Sequence, residues 1–179
     1  MGRRRQAAQR FAVRGIPGLE DHMKLSELLS QDNVVSELQS STREGVLAEL
    51  LNVLAGTGGI RVQDTQPLLQ ALMAREAQGS TGFGKGVAVP HCQHAAVSKM
   101  VMAVGCSIKG VDFKALDKSP VHSIILLLSP PNDQDQHLQA MELIFRPLQR
   151  ATFRKRLQQA NTARAIVDCI TDPQAPEAV

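Results

Sequence analysis

The sequence predicts one domain of the α/β class whose main strand is covered by helices on both faces. With 179 residues, 43% of them hydrophobic, the chain is long enough to build a single core. The segment from Val121 to Ser129 is almost continuously apolar, which is typical of a strand buried on both sides. Segments with apolar residues at helical spacing precede and follow it. Strands and helices are therefore expected to pack in layers around one core.

The first half of the chain is predicted to form a short strand and two helices. The strand is expected within residues 33–38. Residues 41–44 have the pattern of a capping box, apolar residues follow at helical spacing, and Gly56 stands where a helix ends. The second helix is expected over residues 65–78, with Asp64 as its N-cap.

The second half is predicted to contain two buried strands followed by three helices. The strands are expected at residues 100–108 and 121–129. A helix begins near Asp133, and Pro147 is expected to kink or end it. Its core-facing stripe is expected to consist of Leu138, Met141, Phe145 and Leu148. Shorter helices are expected near residues 151–158 and 162–170. The basic cluster within residues 150–156 is interpreted as a solvated helix face.

The net charge of +3 is concentrated at the start of the chain. Residues 1–22 contain five arginines against two acidic residues, and the remaining chain has 15 basic and 15 acidic residues. The body of the protein therefore has no basic surface for nucleic acid, and Trp and Tyr are absent as stacking partners. Residues 1–22 are expected to form a flexible basic leader, residues 23–172 the domain, and residues 173–179 a frayed tail.

Cysteine usage and hydropathy indicate the compartment. Three widely spaced cysteines fit a reducing cytoplasm better than a disulfide framework. No apolar run is long enough to cross a bilayer, and residues 1–22 lack the apolar core of a secretory signal. A cytoplasmic protein that is not membrane-embedded is expected.

The stretch from Gly79 to His91 is the most distinctive part of the sequence. Four glycines within eight positions lose backbone entropy, which is tolerated where the chain turns sharply or approaches a ligand closely. The apolar residues 87–89 predict a short buried strand that the following proline ends. His91 is therefore expected at the end of this strand, opposite a loop with free N–H groups and the hydroxyls of Ser80 and Thr81. Such a loop suits an anion, most naturally a phosphate.

Two further residues are candidates for the same site. Arg75, in the last turn of the second helix, either covers apolar surface with its stem or binds phosphate beside the glycine loop. His137 lies in the first turn of the Asp133 helix, where free N–H groups attract an anion. Taken alone, such a histidine is more often structural or exposed. Its significance depends on whether His91 is near it in space.

A metal site is the alternative of a different class. Zinc takes His and Cys ligands, and His91, Cys92 and His94 could supply them together with His137. Three ligands within four residues fit tetrahedral geometry poorly, however, and no CxxC or HExxH motif supports the site. A Cys92 nucleophile is disfavoured because adjacent residues rarely point at each other. A P-loop is excluded because Lys85 precedes a strand rather than lying on a helix.

The hypothesis that uses most of these features is a histidine that itself carries phosphate. Neutral imidazole is a competent nucleophile near pH 7. Transfer from a donor phosphohistidine requires in-line positioning and stabilisation of charge rather than a deep pocket. Backbone N–H groups, two hydroxyls, an arginine and a second imidazole can supply that stabilisation, so no metal or cofactor is expected.

The segment from Arg75-Glu76 through GSTGFGKGVAVPH resembles the signature of the fructose/mannitol-type enzyme IIA domain of the bacterial phosphoenolpyruvate-dependent phosphotransferase system. It is also similar to the nitrogen-regulatory members of that family. The resemblance extends over residues 23–172 and implies a single domain with a mixed β-sheet flanked by helices on both faces. It also implies that His91 receives phosphate from the carrier protein HPr or a similar carrier. The residues that it assigns to catalysis or phosphate binding are His91, His137, Arg75, Ser80, Thr81 and Gly82.

The chain departs from the family pattern at three positions. Lys85 stands where Asn or Glu is expected, Cys92 replaces a small residue, and Pro147 interrupts a usual helix. The first two positions adjoin the predicted site, so they bear on partner choice or transfer rate.

The resemblance leaves two functions open. The protein is expected to be a regulator whose phosphorylation state controls the target protein that it binds. In the alternative, it relays phosphate from His91 to a cysteine of an enzyme IIB partner during sugar uptake. The sequence contains no IIB or membrane segment, which favours regulation slightly.

Overall fold

The computed structural model describes residues 23–174, so the predictions for residues 1–22 and 175–179 lie outside the described part. Its strands are β1 (Val34–Val35), β2 (Gly82–Gly84), β3 (Val87–Ala88), β4 (His91–Gln93), β5 (Val101–Val111) and β6 (Val121–Ser129). Its α-helices are α1 (Arg43–Gly56), α2 (Thr65–Ala77), α3 (Gln134–Leu148), α4 (Ala151–Gln159) and α5 (Ala163–Thr171). Short 3-10 helices lie at Leu25–Glu27, Gln31–Asn33 and Val62–Asp64.

The six strands form one mixed sheet. Its order is β1-β5-β6-β3-β2, and β4 also pairs with β6. β6 runs antiparallel to β5 but parallel to β3 and β4, which follow one another along the same edge. The predicted α/β class, mixed sheet and single domain are confirmed.

The strand β6 separates two hydrophobic cores, which explains its continuous apolar sequence. Ile124, Leu126 and Leu128 pack into the core beneath α1 and α2. Ile125 and Leu127 face the opposite core, beneath α3, α4 and α5. Because successive side chains of a strand point to opposite faces, both sets are buried. The helices on both faces are thus confirmed.

Several local predictions were wrong in detail. The strand predicted to stop at Pro90 resumes directly after it, because β4 continues the parallel pairing with β6. The first strand is limited to two residues. The N-cap of α1 is Thr42, not the first residue of the capping box predicted over residues 41–44. Its side chain accepts a hydrogen bond from the N–H of Gly45 at 3.2 Å. Asp64 makes no side-chain cap on α2 and instead accepts two hydrogen bonds from Arg61.

The predicted core-facing stripe of α3 is confirmed at Leu148, and in part at Met141 and Phe145, but was wrong at Leu138. Leu138 is 57% exposed, and Met141 and Phe145 are half-buried. The residues that the helix buries are His137, Ala140, Ile144, Pro147 and Leu148. The buried stripe is therefore shifted by one position towards the N-terminus. His137 is buried in place of Leu138 because it is hydrogen-bonded to Ser129. Pro147 lies within the last turn, where α3 ends.

The basic cluster of residues 150–156 is not simply a solvated face. Arg154 donates from Nη1 to the carbonyl oxygens of Leu148 and Gln149. Arg150 donates to the carbonyl of Pro173, and Arg156 to those of Cys169 and Asp172. These arginines satisfy carbonyl groups at the ends of α3 and α5, as cations at helix C-termini do.

Candidate active site

The backbone around β4 fixes the ring of His91. His91 pairs with Leu127 in the parallel register of β4 and β6. Its Nδ1 lies 2.8 Å from the carbonyl oxygen of Val89. Because a carbonyl oxygen only accepts hydrogen bonds, Nδ1 must carry a proton. In the neutral ring the lone pair is therefore on Nε2, which is the nucleophilic nitrogen.

His137 lies beside His91, which was the condition for treating His137 as a candidate site residue. The two ring centroids are 5.7 Å apart, and the ring planes are tilted by 49°, so the rings are not stacked. His137 is in the first turn of α3 and is 7% exposed. Its Nδ1 lies 2.6 Å from Oγ of Ser129, the last residue of β6. Both imidazoles thus lie near the carboxyl end of β6, where His91 begins β4 opposite Leu127 and His137 contacts Ser129.

The surroundings of both imidazoles favour the neutral form. Burial lowers the pKa of His91, and the positive charge of Arg75 lowers it further, against the carbonyl of Val89 and the charge of Glu76. The pKa of His137 is lowered by burial and then by its proximity to His91. At neutral pH the lone pair on Nε2 of His91 is consequently available for bond formation.

Arg75 lies beside the glycine loop, near enough to His91 to influence its pKa. Its Nη1 donates to the carbonyl of Gly79 at 2.9 Å, which folds the side chain back onto the glycine loop. In addition to burial, its positive charge lowers the pKa of His91. The side chain is half-buried and keeps further guanidinium donors beyond that bond. Of the two roles considered for Arg75, the structure favours the position beside the glycine loop.

The predicted phosphate-binding residues of that loop are engaged within the protein. The N–H and hydroxyl of Thr81 both donate to the carboxylate of Glu76, the N–H at 3.1 Å from Oε2. The Ser80 hydroxyl donates to the carbonyl of Phe113 and accepts from the N–H of Gly82. Gly82 belongs to β2 rather than to an open loop. Phosphate binding by these three residues therefore stays a prediction.

Sequence reasoning missed Glu76 and Ser129 as site residues. Glu76 is 3% exposed, holds Thr81, and faces Arg43 across 3.5 Å. Ser129 is fully buried and fixes His137. Glu76 adjoins Arg75 in the quoted signature, so its position was a usable signal. Ser129 gave no signal of its own, because its role depends on α3 returning over the end of β6.

Comparison with known proteins identifies the family. The family model of the phosphoenolpyruvate-dependent sugar phosphotransferase system, EIIA 2, matches residues 27–172. The chain belongs to this family. As a member of the EIIA 2 family it is a phosphotransferase component that works through a phosphohistidine intermediate.

Relatives of the chain include both regulatory and sugar-specific proteins. It is 34% identical over 152 residues to a nitrogen regulatory protein of Pseudomonas aeruginosa, covering 85% of this chain and 97% of that protein. It is also 34% identical over 148 residues to the fructose-specific EIIABC component of Bacillus subtilis, covering 83% of this chain. The match spans only 23% of that longer protein.

Solved structures show the same fold. The nitrogen regulatory protein IIA-Ntr of Neisseria meningitidis superposes with a TM-score of 0.75 at 27% identity, covering 82% of this chain and 99% of that one. The IIA chain in the Escherichia coli complex of mannitol enzyme IIA with phosphorylated enzyme IIB superposes with a TM-score of 0.65 at 19% identity. This match covers 79% of the present chain and 96% of the mannitol enzyme IIA chain. In the described residues 23–174, no helix is long and apolar enough to span a membrane.

The metal alternative finds no support in the geometry. Among residues 23–174, no three His, Cys, Asp or Glu side chains are grouped to hold a metal ion. Nδ1 of His94 accepts a hydrogen bond from the N–H of Ala96, and burial raises the pKa of Cys92 to about 11. A thiol with so high a pKa is a poor metal ligand or nucleophile at neutral pH. Lys85, which also departs from the EIIA pattern, lies at the tip of the β2–β3 hairpin and donates its N–H to Asp117.

Proposed function

We propose that His91 is the phosphate acceptor of this EIIA domain and that an HPr-type carrier protein is its donor. The observation that carries the proposal is the tautomer of His91. Its Nδ1–H is committed to the carbonyl of Val89, so Nε2 is left as a neutral nucleophile beside a second imidazole and an arginine. A phosphoryl transfer needs this combination of positioning and charge stabilisation.

In the transfer step, the lone pair on Nε2 of His91 attacks the phosphorus of the donor phosphohistidine. An Nε2–P bond forms while the donor N–P bond breaks, and the electron pair of that bond returns to the donor imidazole. The positive charge that develops on the His91 ring is stabilised by the hydrogen bond from Nδ1–H to Val89. No proton has to leave His91 during the step.

His137 and Arg75 stabilise the charge on the transferred phosphoryl group. In this proposal the hydroxyl of Ser129, 2.6 Å from Nδ1 of His137, is the donor of that hydrogen bond, so the neutral ring carries its own proton on Nε2 and offers it to a phosphoryl oxygen. Arg75 adds a full positive charge near His91. These donors are present before the phosphate arrives, so little reorganisation is needed.

The phosphorylated state serves regulation in this proposal. Support comes from the nitrogen regulatory relatives, which match this chain over nearly their whole length, and from the higher TM-score to a IIA-Ntr structure.

The protein acts in the cytoplasm, where its carrier would be found. Its buried, unpaired Cys106 and Cys169 fit a reducing compartment. In the second candidate function, His91 passes phosphate to an enzyme IIB, as the EIIABC relative and the mannitol IIA–IIB complex suggest.

The acceptor is tested by incubating the protein with labelled phosphoenolpyruvate, enzyme I and HPr. Wild type and His94→Ala, a matched change three residues away, are expected to become labelled with acid-labile phosphate, whereas His91→Ala is not. Label on His91→Ala, or an unlabelled wild type, would refute the assignment. Subsequent addition of enzyme IIB separates the two functions, because rapid loss of label to IIB supports the relay and retention of label supports the regulator.

A further inference from the structure

A second concave site lies away from the two histidines. An open cavity of about 700 Å³ is formed between the start of α1 and the loop of residues 112–120, which joins β5 to β6. Its polar lining consists of Arg43, Ser80, Asp112, Lys114, Lys118 and Ser119. Neither His91 nor His137 lines it. The volume is in the range of small-molecule sites.

The lining of the cavity carries more positive than negative charge, with Arg43, Lys114 and Lys118 against Asp112. Asp112 is paired with Lys114 at 2.5 Å, and Arg43 is paired with Glu76, which does not itself line the cavity. Arg43 reaches Glu76 only across 3.5 Å, and within residues 23–174 its buried Nε has no hydrogen-bond partner. A guanidinium has five donors, so the long contact with Glu76 does not use all of those on Arg43.

Backbone strain is concentrated at the same place. The described non-glycine residues with positive φ are three lysines, Lys85, Lys114 and Lys118, with φ of 57° to 61°. Lys114 and Lys118 line the cavity, and Lys85 donates its N–H to Asp117 in the same loop. Lysine has no preference for this conformation, which brings its Cβ too close to the following carbonyl oxygen. Strain of this kind accumulates at ligand sites.

We propose that this cavity binds a small non-aromatic dianion, either a phosphate monoester or a dicarboxylate. The cations and the hydroxyls of Ser80 and Ser119 match two negative charges and their oxygen atoms. Ala115, Leu116 and Pro120 provide an apolar wall for a short carbon skeleton. Among the described residues, none of those lining the cavity is aromatic, so a nucleobase would find no stacking partner.

The cavity is connected to the glycine loop through two of its residues. Arg43 pairs with Glu76, which holds Thr81. Ser80 accepts a hydrogen bond from the N–H of Gly82. An anion that draws Arg43 or Ser80 towards the cavity therefore weakens contacts that hold residues 80–82. The ligand is expected to be sensed in this loop, whether or not the protein is phosphorylated.

The site is tested by calorimetric titration of the His91→Ala protein, which lacks the proposed acceptor imidazole, with glycerol 3-phosphate and with malate. At least one probe is expected to bind, and the two arms separate a phosphate ester from a dicarboxylate. Lys114→Ala/Lys118→Ala should weaken binding about tenfold or more, because each substitution removes a charged donor. Lys99→Ala/Lys155→Ala, which also removes two exposed charges, should leave it unchanged.

The location is tested by following the amide resonances of the same His91→Ala protein during the titration. Shifts are expected in residues 80–82 and 112–120. Absence of binding by both probes, equal weakening by the two lysine pairs, or shifts concentrated around residues 91 and 137 would each overturn the proposal.

Discussion

At the scale of single residues, Glu76 connects the glycine loop to the environment of His91. Its buried carboxylate accepts from the N–H and hydroxyl of Thr81, is paired with Arg43, and exerts a charge that raises the pKa of His91. Arg75, the next residue towards the N-terminus, has the opposite effect on that pKa. Adjacent residues of α2 therefore act in opposite directions on the same imidazole, whose pKa is lowered mainly by burial.

Replacement of Glu76 by Gln is expected to destabilise the protein and to lower the pKa of His91. The amide keeps the shape but gives Arg43 no counter-charge, so the free energy of unfolding should fall by about 1–3 kcal/mol. Without the nearby negative charge, the protonated imidazole is less favourable. Urea denaturation measures the first effect and NMR titration of the His91 ring the second.

A matched control for this substitution is Glu142→Gln. Glu142 pairs with Arg146 on the exposed face of α3, so its loss should change stability by less than about 0.5 kcal/mol. Equal effects of the two substitutions, or an unchanged pKa of His91 in Glu76→Gln, would contradict the role assigned to Glu76.

Ser129 is expected to determine which nitrogen of His137 carries the proton. In Ser129→Ala, Nδ1 of His137 loses its partner, and the Nε2–H form is no longer favoured. Phosphorylation of His91 should slow roughly tenfold, since a loss of about 1.4 kcal/mol of stabilisation has this effect. Nitrogen chemical shifts of His137 should show a mixture of tautomers. Ser123→Ala, another buried serine of β6, should leave both the rate and the His137 shifts as they are.

At the scale of elements, the sequence predicted helices and central strands better than the direction of individual side chains. Leucines at helical spacing specify α1 because the core accepts any large apolar side chain there. The buried face of α3 was misjudged because it is selected by a polar contact between His137 and Ser129, which hydrophobicity does not encode. The continuation of pairing after Pro90 depends in the same way on β6, which lies more than 30 residues later in the sequence.

The role of Arg154 was likewise not predictable from the pattern of charges. Charge patterning indicated a solvated face, yet Arg154 donates to the carbonyls of Leu148 at 2.7 Å and Gln149 at 2.9 Å, at the end of α3. Arg154→Ala should therefore lower the free energy of unfolding by about 1–2 kcal/mol in urea denaturation. Its exposed neighbour Lys155 is the control, and Lys155→Ala should change stability by less than about 0.5 kcal/mol. The prediction is refuted if both variants unfold at the same urea concentration.

At the scale of the whole molecule, the site depends on two cores meeting at one strand. The helix α2, packed with the first core, carries Arg75 and Glu76, whereas α3, packed with the second, carries His137. His91 and Ser129 come from the strands between them. The resemblance to EIIA domains predicted that His91, His137 and Arg75 belong together, but the residues alone left Arg75 and His137 open. Their proximity arises only when both layers of helices are in place.

This arrangement makes folding sensitive to pH through its two neutral histidines. The pKa values of His91 and His137 are both lowered in the folded protein, mainly by burial. Between those lowered values and the unfolded value of about 6.5, the unfolded chain binds more protons than the folded one. The free energy of unfolding must then increase with pH through this window and decrease as the pH falls below about 6.5. Urea denaturation at a series of pH values should show this loss, and His91→Ala/His137→Ala should show a flatter dependence. A double variant with the same slope as wild type would mean that other groups cause the loss.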